Sequence, residues 1–172
     1  MIYCFDTYYF EDRAQTSCIG FESWTSEDVA FELTESIEEI NDYESGSFYK
    51  RELPCLISIL KQIDLNPNED VLVIDGFVVL DDEGKLGLGG YLFEHLDASI
   101  PVIGVAKNNF ATIEKLKREV LRGESAKPLY ITAKGIDLDE ASANIAEMHG
   151  NFRIPTLLKL VDTYCRKTEE EL

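Results

Sequence analysis

The chain has few basic residues, few histidines and no long apolar run. Its 172 residues contain 16 lysines and arginines against 33 aspartates and glutamates, so the formal net charge is −17 at pH 7. A surface this negative repels nucleic acids and anionic membranes at long range, and taken alone it argues against both kinds of partner. With only two histidines, His95 and His149, the sequence does not support a Ser-His-Asp hydrolase site.

Targeting and zinc-binding signals are also missing. No leader segment precedes the strand-like run 1–5, and no apolar stretch approaches the roughly 20 residues that span a bilayer. We therefore expect a cytoplasmic protein with no membrane partner. The four cysteines contain no CxxC pair, which argues against a structural zinc site and favours buried, unpaired thiols. They are Cys4, Cys18, Cys55 and Cys165.

The charge is unevenly distributed along the chain. Residues 1–49 contain 12 acids and a single base, Arg13. Residues 107–134 contain seven bases and three acids and form the only clearly basic stretch. Such a stretch either follows a nucleic-acid backbone or forms a solvated helix face, and the second meaning is the commoner one.

The order of the predicted elements indicates a mixed sheet. Alternating or continuous apolar runs predict strands, and apolar residues at helical spacing predict helices. The expected strands are 2–10, 14–21, 30–37, 70–75, 102–106 and 129–132, and the expected helices are 54–63, 87–96, 113–121, 138–148 and 155–167. We therefore expect a single α/β domain over residues 1–172, with antiparallel N-terminal strands, parallel βα units and flanking helices.

Four acids stand out by position. Asp6 lies inside the first strand, Asp75 ends a buried run, Glu52 is at the mouth of a helix, and Asp162 lies on the last helix. A carboxylate in an apolar setting is costly unless it is paired or bound to a metal, and converging carboxylates suit hard divalent cations. Among 33 acids some fall at strand ends by chance, and Asp-Gly is an ordinary turn signal. A metal site and a chance arrangement both remain open.

Four motifs, in order along the chain, resemble the endonuclease V family. They are Tyr43-Glu44-Ser45-Gly46 with Arg51-Glu52-Leu53-Pro54, the run ending at Asp75-Gly76 with Leu86-Gly87-Leu88-Gly89, the run from Pro101 to Lys107, and Arg153-Ile154-Pro155 leading to Asp162. Each motif alone is weak, but four in register over most of the chain are fairly specific.

The resemblance implies a ribonuclease H-like fold and a Mg²⁺-dependent endonuclease, with Mn²⁺ as a substitute ion. Such an enzyme cuts DNA or RNA on the 3′ side of a deaminated purine, typically inosine. The resemblance implies that Asp6, Glu52 and Asp75 are catalytic acids that bind metal, and that Asp162 is a fourth metal ligand. It implies that Lys107 orients the attacking water or the scissile phosphate. A monomer is the favoured oligomeric state.

The resemblance also implies nucleic-acid contacts from Tyr43, Gly46, Gly87, Gly89 and Lys134. Tyr43 either stacks on a base or fills a gap between strands. The two glycines of the 87–89 motif either let a flipped base approach a helix start or permit close helix–strand packing. Lys134 stands in the segment that corresponds to the family's Gly-His-Arg.

Departures from the family pattern motivate other hypotheses. The segment at 43–46 lacks the family's proline and contains Glu44, and Leu80-Asp81-Asp82-Glu83 stands where the family carries His-Pro-Arg. The alternative is a catalytically inactive or repurposed relative that acts as a binding or interaction module. A third possibility is an enzyme on a smaller phosphoester, which needs no extended basic groove.

Overall fold

The computed structural model describes residues 1–38 and 47–172. Within these residues seven strands form one mixed sheet in the order β3-β2-β1-β4-β5-β7-β6. The strands are β1 (Ile2–Tyr9), β2 (Ala14–Phe21), β3 (Phe31–Ile37), β4 (Val71–Asp75), β5 (Val102–Ala106), β6 (Arg118–Val120) and β7 (Leu129–Lys134). The helices are α1 (Phe48–Leu60), α2 (Leu88–His95), α3 (Leu138–Glu147) and α4 (Thr156–Cys165). This arrangement confirms the predicted α/β class.

The first three strands form the expected antiparallel meander. A short polar turn at residues 10–13 joins β1 to β2, closed by a hydrogen bond from the Phe10 backbone N–H to the Arg13 carbonyl. Strand β2 is buried along its whole length because it lies between β1 and β3 and is covered by helices on both faces. On its other side β1 pairs in parallel with β4, and β4 pairs in parallel with β5.

The last part of the sheet differs from the prediction. The expected helix at 113–121 is wrong: the segment bends and then forms β6, which pairs antiparallel with β7. The backbone N–H groups of Glu114, Lys115 and Leu116 all donate to the Asp82 carboxylate and fix the bend that precedes β6. Strand β7 also runs antiparallel to β5, so only β1, β4 and β5 form the parallel part.

Alternation along the strands divides the core between the two faces of the sheet. On β1, Cys4 packs into the cluster that contains Ala141 and Leu157 of α3 and α4, while Phe5 packs into the cluster that contains Leu56 and Leu92 of α1 and α2. All four cysteines are buried and free, as predicted. No helix among the described residues is both long and apolar enough to cross a membrane.

Candidate active site

The parallel register brings two acids side by side. Phe5 on β1 is the Cα partner of Ile74 on β4, and the next residue on each strand is an aspartate, Asp6 and Asp75. Strand β4 ends at Asp75, and Gly76, with φ of 122°, turns the chain away from the sheet. The carboxyl end of a parallel strand is where α/β sheets commonly place functional groups.

Glu52 reaches the same place from helix α1. The helix buries Leu56 and Ile59 against the sheet, which leaves Glu52, one turn earlier, beside the strand ends. Asp6, Glu52 and Asp75 line one small depression, and we name these three residues the acidic cluster. Arg51, the neighbour of Glu52 in sequence, lies with its guanidinium 3.6 Å from the centroid of the Tyr9 ring and forms no ion pair with that carboxylate.

The carboxylates of the acidic cluster are partly desolvated and repel one another. Burial, then the charges of Asp75 and Asp162, raise the pKa of Asp6 to about 7, against the opposing charge of Lys107 and a 2.8 Å hydrogen bond from the Thr7 backbone N–H. Burial, then Asp75 and Asp6, raise the pKa of Glu52 to about 9. The site therefore favours either bound protons or an added cation.

Asp75 occupies the mouth of this site. Burial raises its pKa above the ordinary value, and the charge of Lys107 opposes that rise. The side chain nevertheless keeps an open face towards solvent. A ligand arriving from solvent therefore meets this carboxylate first.

Lys107 faces the acidic cluster from the end of β5. It directly follows Ala106, the last residue of that strand. With Asp6 and Asp75 it lines a second cavity of about 30 Å³, whose other walls are apolar side chains such as Val105 and Leu129. A cavity of this size holds one or two water molecules, or a small ion.

Asp162 is close to Asp6 but has its own counterions. One carboxylate oxygen of each and the Sγ atom of Cys165 lie within 4.8 Å of one another. Asp162 accepts hydrogen bonds from Arg166 Nε at 2.8 Å and Lys159 Nζ at 3.3 Å. Burial opposes ionisation of this carboxyl, but those two hydrogen bonds outweigh it, so its pKa lies below the ordinary value. Asp162 is thus already neutralised, unlike the acidic cluster.

Cys165 is a neighbour of the site that the sequence did not single out. Its thiol donates to the Asp162 backbone carbonyl at 3.1 Å. Burial raises the thiol pKa, and the charges of Asp6 and Asp162 add to the rise. The group therefore stays protonated and is a poor ligand for a hard cation, which prefers oxygen.

Two arginines organise the wall beside Lys107. Arg153 Nη2 donates to the Lys107 carbonyl and, at 2.8 Å, to the Pro128 carbonyl, so it ties the chain after β5 to the start of β7. Arg153 lay in a recognised motif, but the sequence assigned it no role. Arg122, in the predicted basic stretch, is 6% exposed and donates to the carbonyls of Met148, Gly150 and Phe152. Arg122 therefore neither follows a nucleic-acid backbone nor lies on a solvated helix face, and both predictions for the basic stretch are wrong for this residue.

The structure gives different results for the residues that were predicted to contact nucleic acid. A Cβ atom added at Gly87 would lie 2.6 Å from the Phe77 carbonyl oxygen, and one at Gly89 would lie 2.7 Å from a Val78 methyl group. The structure thus gives both glycines the packing role, and their contact with nucleic acid stays a prediction. Tyr43 and Gly46 lie outside the described residues.

Lys134 is not brought to the acidic cluster. Because β7 runs antiparallel to β5, Lys134 is paired with Val102, the first residue of β5, at the opposite end from Lys107. There it contacts Glu94, with 3.5 Å between Nζ and Oε1, and lies over the Phe93 ring. The sequence predicted where this strand lies in the chain, but it did not predict that the strand runs antiparallel to β5.

The acidic loop at 81–83 uses its charges structurally. Asp81 Oδ1 accepts from the backbone N–H groups of Glu83 and Lys85, and Asp82 accepts the three N–H groups described above. Those bonds outweigh desolvation and lower the pKa of Asp82. These two aspartates therefore hold the loop together and are directed at the backbone rather than at the acidic cluster.

Known proteins resemble this chain in sequence. The family model described as Endonuclease V matches residues 1–163. Endonuclease V of Streptomyces avermitilis is 26% identical over 163 residues, covering 84% of this chain and 69% of that protein.

Solved structures show the same fold. A Ciona intestinalis endonuclease V variant, in complex with a 23mer DNA containing an inosine followed by a ribo-adenosine, superposes with a TM-score of 0.73 at 19% identity, covering 96% of this chain and 83% of that chain. Human ENDOV gives a TM-score of 0.73 at 24% identity, covering 96% and 82%. The fold is the ribonuclease H-like fold of these proteins, as the resemblance implied. Since the family model spans nearly the whole chain, the protein belongs to the endonuclease V family and is a phosphodiester-hydrolysing nuclease.

Proposed function

We propose that the protein is a Mg²⁺-dependent endonuclease that cuts inosine-containing DNA or RNA on the 3′ side of the deaminated purine. The observation that carries this proposal is the acidic cluster beside Lys107. Within residues 1–38 and 47–172, none of its three carboxylates forms an ion pair with a basic side chain.

The donor set fits a hard divalent cation. Three carboxylates from β1, α1 and β4 offer oxygen ligands around water-sized cavities, and their mutual repulsion is relieved by an added positive charge. Mg²⁺ keeps several of its waters and binds through one or two carboxylates together with substrate oxygens. An open, acid-lined depression with room for water suits that mode better than a closed cage. Mn²⁺ is expected to substitute for it.

The chain's own residues have distinct parts in hydrolysis. A bound divalent cation would supply charge neutralisation at the scissile phosphate and acidify an attacking water. Asp6, Glu52 and Asp75 hold the cation site, and Asp75 at the mouth is the first carboxylate that the incoming phosphate approaches. Lys107 places its ammonium group next to Asp6 and Asp75, where it orients either the water or the phosphate. Asp162 extends the acidic wall on the α4 side.

The nucleic-acid part of the proposal rests on relatives. The Ciona intestinalis structures hold DNA with an inosine, and this chain belongs to the same family. Phosphate binding against a net charge of −17 requires that the negative charge of the three carboxylates be neutralised, which a divalent cation and Lys107 accomplish together. We therefore expect weak, salt-sensitive binding in the absence of metal.

A cleavage assay tests the proposal. End-labelled oligonucleotides with one inosine, as single-stranded DNA, duplex DNA and RNA, are incubated at low salt with Mg²⁺, Mn²⁺ or EDTA, alongside matched oligonucleotides with guanine at that position. We expect metal-dependent cuts 3′ to inosine and none with Glu52→Gln. If the wild type cuts none of these substrates with either metal, the proposal fails and the interaction-module alternative is favoured.

A further inference from the structure

A solvent-exposed phenylalanine stands beside the proposed site, and this inference rests on the proposed function. Phe152 is 80% exposed, the largest exposed fraction among the exposed large hydrophobic side chains of the described residues. It lies in the segment between α3 and α4. A large apolar ring presented to water commonly marks a place where a ligand or partner binds.

The backbone that presents Phe152 is held firmly. Arg122 Nη1 donates to the Phe152 carbonyl at 2.9 Å, and Arg122 Nη2 donates to the Gly150 carbonyl at 3.0 Å. The Thr156 backbone N–H closes the segment by donating to the His149 carbonyl at 2.9 Å. Because these bonds order the loop, the backbone that carries the exposed ring is pre-organised, and a ligand need not order that backbone on binding.

Phe152 stands in a groove that adjoins the cavity beside the acidic cluster. The groove is open and has a volume of about 1150 Å³, larger than the roughly 300–1,000 Å³ typical of a small-molecule site. Ile154 lines both this groove and the cavity that contains Asp6, Asp75 and Lys107. The groove and the cavity are therefore neighbours, and a polymer chain in the groove lies close to the acidic cluster.

The charge of the groove differs from that of the whole chain. Its walls carry two bases and one acid, Glu124, whereas the chain as a whole has about twice as many acids as bases. Of the two bases, Arg153 is held by the Lys107 and Pro128 carbonyls, while Lys159 contacts Asp162 but has a side chain that is 67% exposed. Polar side chains such as Ser125 and Asn151 complete the lining. An aromatic ring flanked by bases and hydrogen-bonding groups is the composition of a single-strand nucleic-acid surface, in which bases stack and phosphates meet cations.

We propose that Phe152 is a stacking platform for an unpaired base of the substrate strand, next to the scissile phosphate. The groove takes a single-stranded segment, with the base against the Phe152 ring and the backbone towards Lys159. Any base stacks on an aromatic face, so this subsite adds affinity for unpaired strands without choosing a sequence.

Binding measurements on ring variants test the proposal. The probe is a fluorescently labelled single-stranded inosine-containing oligonucleotide. Anisotropy is measured at low salt on protein with an intact acidic cluster, and Ca²⁺, which also prefers oxygen ligands, replaces Mg²⁺ to slow cleavage. Phe152→Leu keeps an apolar side chain but loses the ring, and we expect binding about tenfold weaker. Phe152→Trp restores binding, and its indole emission is quenched by the oligonucleotide. Leu121→Ala, at a residue 66% exposed outside the groove, is the matched control and changes binding less than about twofold.

The outcomes separate this inference from the proposed function. The stacking role is overturned if Phe152→Leu binds the oligonucleotide as tightly as the parent protein does. It is also overturned if the oligonucleotide does not quench the emission of Phe152→Trp. In either case a protein partner becomes the favoured ligand of the exposed ring. Absence of any oligonucleotide binding by the parent protein overturns it as well. If the wild type binds oligonucleotides but never cuts them, the proposed function fails while the effect of the ring can still be measured.

Discussion

Two charged regions of the molecule use their charge in opposite ways. In the acidic cluster, Asp6, Glu52 and Asp75 share a depression, and among the residues that the structure describes none of them forms an ion pair with a basic side chain. In the loop at 148–153, the Arg122 guanidinium is surrounded by backbone carbonyls that accept its hydrogen bonds. A charged group whose hydrogen bonds are made with the protein itself stabilises the fold. A charged group without such a partner is available to bind a ligand. Substitutions in the two regions should therefore affect different measurements.

The largest expected effect is on cleavage by Asp75→Asn. This change keeps the shape of the side chain but removes a charge that the site needs for its cation, so we expect kcat to fall by about 10³-fold, the scale for losing one preorganised charge-stabilising group. The melting temperature of the metal-free protein should stay the same or rise, because one repulsive carboxylate is gone. Single-turnover cleavage and a thermal melt in EDTA check both halves. If the variant is stable and still cuts at the wild-type rate, Asp75 is not part of the catalytic site.

The next effect is on stability, from Arg122→Ala. It leaves several buried carbonyls without a donor, and we expect the free energy of unfolding to fall by about 3 kcal/mol, measured by urea denaturation. Arg118→Ala is the matched control, since Arg118 forms an exposed pair with Asp139 at 2.6 Å and such pairs contribute at most about 1 kcal/mol. Equal losses from the two variants would contradict the structural role of Arg122.

A smaller effect on rate is expected from Arg153→Ala. Arg153 donates to the Lys107 carbonyl, so its loss lets the lysine shift relative to Asp6 and Asp75. We expect kcat to fall by about tenfold with KM little changed, since modest misplacement of a catalytic group slows the chemical step. Lys134→Ala, which removes a base at the far end of β5, should change kcat less than about twofold. A larger fall in kcat with Lys134→Ala than with Arg153→Ala would contradict the proposed role of Arg153 in positioning Lys107.

A further effect concerns the dependence of stability on pH. The pKa values of Asp6 and Glu52, ordinarily 3.8 and 4.5, are raised to about 7 and about 9 in the folded, metal-free protein. Stability from these groups is therefore fully present below about pH 4 and is lost as the pH rises through 7 and 9. In EDTA, the free energy of unfolding of the wild type should fall relative to Glu52→Gln between about pH 4.5 and 9. Mg²⁺ should reduce that difference, and parallel profiles in EDTA would contradict the electrostatic account of the cluster.

The sequence predicted elements whose signal is local. Residues with β-favouring shapes located β1, the polar turn after it located the start of β2, and a short buried run located β4 together with its terminal Asp75. Prediction from the sequence failed where the conformation of a segment depends on residues that are distant in the chain. The segment 113–121 was expected to be helical, but its residues 118–120 hydrogen-bond to β7, about ten residues later in the chain, and form β6. No local pattern in the sequence reports such a bond.

The candidate site shows the same division. The acids Asp6, Glu52 and Asp75 were found from the sequence because an acid at a strand end or helix mouth is conspicuous in an apolar setting. The direction of β7, which moves Lys134 away from the acidic cluster, depends on pairing with β5. The roles of Arg122 and Arg153 depend on carbonyls from other segments, and a basic residue in a polar stretch gives no sign of which acceptors it will meet.

The acidic cluster as a cation site is the central claim, and a crystal soaked in Mn²⁺ tests it most directly. An anomalous difference map at the manganese edge locates the ion without reference to activity. We expect a peak bound by carboxylate oxygens of Asp6, Glu52 and Asp75, which disappears in Asp75→Asn. A fully occupied ion elsewhere, with none at the acidic cluster, would contradict the claim.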